Sequence, residues 1–274
     1  MPVAQLTILG SGSGGNCAYL EAEGTRLLID AGLSGRQIRR RLLAIGRTPE
    51  KVSGILITHE HTDHIQGLVG LAKLGLPVYC NRLTQRAIQE QLDLSLDFRV
   101  FETGTVFAVE AVEVETFSVP HDAYDPLGFL VRTTGGAFGF LTDLGHATKL
   151  AVERVRQANA LLLEANHDLK LLQDDPRRPW SVKQRILSRH GHLSNDAAAA
   201  VAEQIISAEL QHLYLGHLSS DCNRPELALR AVRQALERVG GTHVRLEAAA
   251  QDVPCPTLVL GAKEGGAAGP GSGI

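Results

Sequence analysis

Apolar residues in this chain fall mostly in short runs closed by polar or glycine-rich turns, as buried strands do; a few stretches keep the three-to-four spacing of an amphipathic helix. Residues 4–9 form the first such run. Residues 16–21 and 26–30 then make a hairpin around the turn Glu23-Gly24-Thr25. Residues 34–45 have helical spacing with a basic face of Arg36, Arg39, Arg40 and Arg41, read as solvated. Residues 54–57 predict a short buried strand, 65–71 a helix with one apolar face, 76–80 a strand and 83–92 a helix. A β-rich block covers 98–101, 105–109, 112–118, 128–133 and 138–142, punctuated by Gly104, Pro126 and Gly135-Gly136. Beyond it come a helix over 150–157, a strand over 160–163, a short helix over 182–187, and a longer one over 196–208 that Ser194 or Asn195 can cap. A strand over 213–217, a helix over 225–239 opened by its proline, and strands over 243–248 and 257–260 complete the pattern. The second half repeats the order of the first, strands and then helices. This predicts an α/β chain with one large domain over residues 1–262 and a disordered Gly/Ala/Pro/Ser tail over 263–274.

Composition changes this picture little. At 274 residues and 44% hydrophobic, the chain can bury a substantial single core. A formal net charge of −3 gives no global signal for nucleic acid, so a polyanion would have to be held by a local patch. The four cysteines, Cys17, Cys80, Cys222 and Cys255, include no C-x-x-C pair, which argues against a disulfide scaffold or a thiolate zinc site and fits a reducing compartment. The N-terminus enters a strand pattern without the regions of a secretion signal, and no apolar run reaches the ~18 residues of a membrane span. A cytoplasmic protein with no membrane partner is expected; the pattern carries no sign of oligomeric state.

Chemistry concentrates in Thr58-His59-Glu60-His61-Thr62-Asp63-His64, with the spacing H-x-H-x-D-H between an apolar strand and a helix. In an extended loop, residues two apart face one side, so His59 and His61 can hold one ion; Asp63 and His64, at the helix start, suit a second. Imidazole with carboxylate is a ligand set for Zn, Mn or Fe. Gly10-Ser11-Gly12-Ser13-Gly14-Gly15 matches the dinucleotide fingerprint G-x-G-x-x-G, but that reading needs a helix directly afterwards and a hairpin is predicted instead. The glycines are expected to let the backbone pass close to the metal loop.

The H-x-H-x-D-H motif resembles the signature of the metallo-β-lactamase superfamily. That resemblance implies a four-layer α/β/β/α sandwich with two mixed sheets face to face. It also implies three further ligands at strand ends, which His121, Asp143 and His217 fit. Alone, Asp143 could instead cap the helix over 150–157. Residues 12–17 (GSGGNC), 28–34 (LIDAGLS), 164–168 (EANHD), 191–195 (GHLSN) and 215–219 (LGHLS) resemble the YycJ/WalJ family of single-domain phosphodiesterases, over nearly the whole chain. By that resemblance His59, His61 and His121 hold one metal, Asp63, His64 and His217 a second, and Asp143 bridges. His192 stands by the scissile phosphate with Glu164 orienting it. The implied cofactors are two divalent ions, Zn or Mn. The implied reaction is hydrolysis of nucleic acid, DNA above all, by a hydroxide bridging the ions, as a 5′–3′ exonuclease. Asp63, His192 and Glu164 form its catalytic group.

Other readings use the same motif: a hydrolase of small cyclic phosphodiesters, a thioester or lactone hydrolase, or a metal-stabilised interaction protein. The stretch between Asp143 and His217 is filled by recognisable strands and helices, which leaves no room for a large inserted domain and points to a compact nuclease. The expected substrate surface is Arg177-Arg178-Pro179-Trp180 with Lys183, Arg185 and Arg189. Arg185 and Arg189 would share a helix face, and Trp180 would stack on a base. Ser194, Asn195 and Asn223 are added as polar contacts.

Overall fold

The N-terminal half supplies strands β1 (Ala4–Gly10), β2 (Cys17–Ala22), β3 (Thr25–Ile29), β4 (Gly54–Leu56), β5 (Pro77–Asn81) and β6 (Asp97–Phe101). The C-terminal half supplies β7 (Val106–Val109), β8 (Val112–Ser118), β9 (Leu127–Thr133), β10 (Gly136–Leu141), β11 (Ala160–Glu164), β12 (His212–Gly216) and β13 (Arg245–Ala248), and β14 (Leu258–Leu260) returns to pair with β1. In this computed structural model, which describes residues 3–261, they form two seven-stranded sheets, ordered β14-β1-β2-β3-β4-β5-β6 and β13-β12-β11-β10-β9-β8-β7. Both sheets are mixed in the same way. Pairings are antiparallel from β14 to β3 and from β7 to β10, then parallel from β3 to β6 and from β10 to β13. The tail over 263–274 lies outside the described residues.

The helices are α1 (Gly35–Ala44), α2 (Thr62–Ile65), α3 (Leu68–Leu71), α4 (Arg82–Gln91), α5 (Lys149–Val155), α6 (Leu169–Asp174), α7 (Trp180–Ile186), α8 (Asn195–Ile205) and α9 (Pro225–Arg238). Strand alternation explains where they pack. Leu162 and Tyr214 point between the sheets, onto Ile8, Phe129, Phe138 and Phe140. Their neighbours Leu161, Leu163, Leu213 and Leu215 point outward, under Val152 and Val155 of α5, Val201 of α8 and Val232 of α9. Leu28, Ile55 and Val78 do the same beneath Ile38 and Leu42 of α1 and Ile88 of α4. Both faces of each sheet are therefore covered, which is why these strands read as unbroken apolar runs. Each fully buried Leu or Phe contributes about 1.5–3 kcal/mol over an exposed one. The layers make the α/β/β/α sandwich that the resemblance implies. All four cysteines are buried and free. Among the described residues no helix is long and apolar enough to cross a membrane.

Three departures from the expected elements have physical causes. The helix expected over 65–71 is two short turns, α2 and α3, broken at Gly67. A Cβ at Gly67 would lie 2.2 Å from the Leu33 carbonyl oxygen, so the chain there is packed against α1's approach. Arg41 is not on a solvated face: it is buried, and its Nη1 donates to the carbonyls of Leu9 (2.7 Å) and Gln251 (2.8 Å). Helix α6, capped by Asp168, was absent from the pattern reading because its few apolar residues cover only one turn.

Candidate metal centre

The carboxyl ends of β3, β4, β10, β11 and β12 converge at one edge of the sandwich, the position where α/β sheets collect ligands. Asp30 follows β3, the His59–His64 loop follows β4, Asp143 follows β10, Glu164 ends β11 and His217 follows β12. Asp30 (φ 59°), Asp143 (φ 56°) and His217 (φ 54°) all adopt the left-handed conformation. Such backbone costs on the order of 1–3 kcal/mol per residue and gathers where side chains must be aimed. The Gly10–Gly15 loop presses against the same edge, as its glycines suggested. Asn16 N–H donates to the Asp63 carbonyl at 2.8 Å, and a Cβ on Gly15 would lie 2.2 Å from the Gly32 carbonyl oxygen.

Ligand-type atoms of His59, His61 and His121 lie within 4.8 Å of one another, and so do those of Asp63, His64 and His217. These are the two triads read from the sequence. Asp143 stands between them: its Oδ1 is 3.0 Å from His217 Nε2 and 3.9 Å from His121 Nε2, and its Oδ2 is 3.2 Å from His64 Nε2. Asp63 Oδ2 lies 3.6 Å from His64 Nε2. Asp143 is not the cap of α5, since Thr148 Oγ1 accepts the Ala151 N–H there.

The ring nitrogens divide into held and free. Nδ1 of His64 faces Asp30 Oδ2 (2.8 Å), Nδ1 of His121 faces the Gly191 carbonyl (3.0 Å), Nδ1 of His59 faces Thr58 Oγ1 (3.0 Å), and Nδ1 of His217 meets the Asn16 carboxamide, 3.0 Å from its Nδ2 and 3.3 Å from its Oδ1. The first three acceptors can take the Nδ1 proton and leave the Nε2 lone pair for an ion, the usual arrangement around a ligating histidine, while the Asn16 carboxamide holds the His217 ring in place. His61 differs, presenting Nδ1 3.3 Å from His121 Nε2. Buried His59 Nε2 and Asp143 Oδ2 have no hydrogen-bond partner, a costly state for polar atoms unless something else meets them. These atoms fit divalent cations. The charges agree. Burial opposes ionisation of Asp143, yet His217 and His64 hold its carboxyl well below the usual range. Burial likewise opposes protonation of His217, but Asp143 and Asp63 raise it to about 9. His59, farther from the carboxylates, is pushed well down by burial and by His64. Asp30 and Asp143 raise His64 against its burial in the same way, so the protein alone draws protons onto His64 and His217, which would otherwise face cations, and metal binding would release them.

At the rim, His192 Nδ1 meets Glu164 Oε1 at 2.7 Å, and Glu164 Oε2 accepts the N–H groups of Leu144 (3.0 Å) and Leu193 (3.1 Å). Burial pulls the His192 pKa down, but Glu164 outweighs it and the net shift is upward. The His192 ring centroid lies 5.1 Å from those of His121 and His217. Sequence reasoning missed Asp30 and Asn16 as orienting groups. Asp30 carried the same signal as Asp143, a carboxylate closing an apolar strand, and lay within one of the quoted strings. His167, in the EANHD string, is buried with neither ring nitrogen hydrogen-bonded, and burial pushes its pKa down to about 4.

The expected substrate surface is rearranged. Trp180 is 62% exposed at the start of α7. Lys183 turns inward, its Nζ donating to the Gln173 carbonyl at 2.6 Å, and is not a surface charge. Arg177 and Arg178 are both bridged to Asp175 and Asp221, and Arg185 is paired with Asp122. Helix α7 ends at Ile186, so Arg189 shares no helix face with Arg185; its Nη2 lies 3.3 Å from His146 Nε2. Ser194 caps α8 through Ala197 N–H. The side chains of Asn195 and Asn223 hydrogen-bond to each other at 2.8 and 2.9 Å, and Asn223 also donates to the Ala165 carbonyl. That pair ties α8 to the loop after β12.

Residues 25–217 match the model of the beta-lactamase superfamily domain. The chain is 39% identical over 257 residues to Exodeoxyribonuclease YycJ of Bacillus anthracis, covering 92% of this chain and 97% of that one. It is 40% identical over 227 residues to Exodeoxyribonuclease WalJ of Streptococcus pneumoniae, covering 81% and 84%. Among solved structures, the metallo-beta-lactamase fold protein YhfI from Bacillus subtilis superposes with a TM-score of 0.70 at 14% identity, over 93% of this chain and 99% of that one, a likeness of fold. The architecture, the converging His/Asp clusters and the near full-length identity together place this chain in the beta-lactamase superfamily of metal-dependent hydrolases, as a member of the YycJ/WalJ family.

Proposed function

We propose that the protein is a dinuclear phosphodiesterase, a compact DNA nuclease of the 5′–3′ exonuclease type, which works in the cytoplasm with Zn or Mn. The observation that carries this reading is the carboxylate-held imidazole of His192 beside the two ligand triads. A thioester or lactone hydrolase has no need of it, whereas a phosphodiester releases an alkoxide that takes up a proton. The names of the two relatives, both exodeoxyribonucleases, support DNA as the substrate.

Two divalent ions held by His59, His61, His121, Asp63, His64, Asp143 and His217 would activate water and offset phosphate charge. The chain's own groups do the rest. Asp30, Thr58 and the Gly191 carbonyl keep three imidazoles in the tautomer that leaves Nε2 free, and the Asn16 carboxamide holds the His217 ring. Glu164 holds Nδ1 of His192 and stabilises its protonated form, so Nε2 can give a proton to the departing oxygen. Asp63, partly exposed at the start of α2, would help His64 and His217 hold the ion that supplies the activated water. Trp180, Arg185 and Arg189 form the polymer-contacting rim. Lys183, Asn195 and Asn223 take no part in it, and Ser194 serves its helix.

The test is digestion of end-labelled single- and double-stranded DNA and RNA by metal-stripped protein resupplied with Mn, Zn or Mg. Mononucleotides released from the 5′ end of DNA are expected. A ladder of internal fragments would make it an endonuclease, and cleavage of RNA alone would move the substrate assignment.

A further inference from the structure

Residues 119–126 form a tight loop, closed by Val119 N–H donating to the Pro126 carbonyl at 3.1 Å, and Tyr124 stands on it 69% exposed. Lone exposed aromatics are ordinary on protein surfaces. This one is not left out by a loose loop. Tyr124 N–H donates to Glu60 Oε1 at 2.9 Å, Asn81 Nδ2 donates to the Asp125 carbonyl at 2.7 Å, Thr103 Oγ1 donates to Asp125 Oδ2 at 2.7 Å, and Arg185 bridges Asp122. Four separate segments therefore fix the backbone that carries the ring, while the ring itself packs on little.

The Glu60 bond is the most informative. Glu60 sits between His59 and His61, is 4% exposed, and belongs to neither triad. Burying a carboxylate is expensive unless it is hydrogen-bonded. Among the described residues its one hydrogen bond is the Tyr124 N–H, and Oε2 has none. A buried carboxyl group inside the H-x-H segment thus anchors the backbone of Tyr124. Beside the ring lies a cleft of about 300 Å³ lined by Leu83, Arg86, Ala87 and Glu90 of α4. Its walls are a flat aromatic ring, two aliphatic side chains and an exposed Arg86–Glu90 pair that offers both donors and an acceptor.

From this geometry we infer that Tyr124 is a base-stacking platform, and that the Tyr124–α4 cleft takes one nucleobase of a nucleic-acid strand next to the linkage being cut. A flat, partly polar heterocycle matches the walls, and stacking tolerates any base, as a nuclease of weak sequence selectivity needs. The inference rests on the nuclease reading. It adds a binding site on the face of the centre formed by the first sheet, apart from Trp180 on α7.

The experiment uses metal-loaded protein and 5′-labelled single-stranded DNA, with an abasic residue moved one position at a time along the strand. For Tyr124→Ala, KM should rise about tenfold, within the range one stacked base supports, with a smaller change in kcat. One abasic position should cost the wild type a similar factor and cost Tyr124→Ala nothing more. Tyr124→Trp should restore KM. An unchanged KM in Tyr124→Ala, or equal damage in Tyr124→Ala and Tyr124→Trp at every abasic position, overturns the platform while leaving nuclease activity standing. Wild type that hydrolyses methyl p-nitrophenyl phosphate but no oligonucleotide overturns the nuclease reading, and the platform with it.

Discussion

The basin of histidines and the rim over residues 177–189, around α7, were both read from sequence as functional, and they are built on different principles. In the basin every polar group is aimed. Imidazoles are held from behind by Asp30, Thr58, Asn16 and Gly191, three residues adopt left-handed backbone, and buried atoms remain for cations. In the rim the cations are largely spent. Arg177, Arg178 and Arg185 face Asp175, Asp221 and Asp122, and Lys183 faces a carbonyl. Preorganised groups in a buried site act far more strongly than exposed, paired charges. Substitutions in the basin should therefore reach chemistry, and those in the rim should only tune binding.

The largest expected effect is that of Asp143→Ala. Asp143 faces both triads, so elemental analysis should show loss from both, and turnover should fall to background. A variant that keeps one full equivalent of metal would assign Asp143 to one triad alone. His192→Ala comes next, with turnover down about 10²–10⁴-fold, the range of general acid catalysis, and metal content intact. Loss of metal in that variant would erase the boundary drawn here and make His192 a ligand. Asp30→Ala should be milder and purely positional: metal affinity falls about 10–100-fold as His64 loses the group that fixes its tautomer, measured by competition with a chelator. Equal affinity in the variant would mean that packing alone aims His64.

The smallest effects belong to the rim. Trp180→Ala should weaken binding of single-stranded DNA by about 1–3 kcal/mol, and Arg189→Ala, whose guanidinium lies by His146 and has no carboxylate partner among the described residues, should shallow its salt dependence. Arg177→Ala with Arg178→Ala should leave the salt slope as it was, since both guanidiniums already face carboxylates. A large change there would mean that DNA displaces Asp175 and Asp221, and the contrast between basin and rim would shrink.

What the sequence revealed follows the same division. His59, His61, Asp63 and His64 fall within six residues, so local pattern located them; His121, Asp143 and His217 each follow an apolar strand, and the family resemblance singled them out. The unbroken apolar runs over β11 and β12 placed a sheet covered on both sides. The partnerships were out of reach. Asp30 with His64, Asn16 with His217 and Glu60 with Tyr124 join segments far apart in the chain, and only sheet pairing brings them together. Lys183 and the arginines looked like a basic patch because a charge run does not disclose which carboxylates from other loops will meet it. Helix α7 stops at Ile186 and separates Arg185 from Arg189, because the chain must turn there to bring Gly191 to His121.

The central claim is that the seven basin ligands hold two ions and that this pair cuts DNA. The most direct measurement titrates metal-stripped protein with Mn or Zn while following both bound metal and release of label from 5′-labelled single-stranded DNA in the same sample. The account predicts two equivalents bound per chain, with label released as the second equivalent fills. Full cleavage by metal-stripped protein, or two ions bound with no phosphodiester cut, would contradict it.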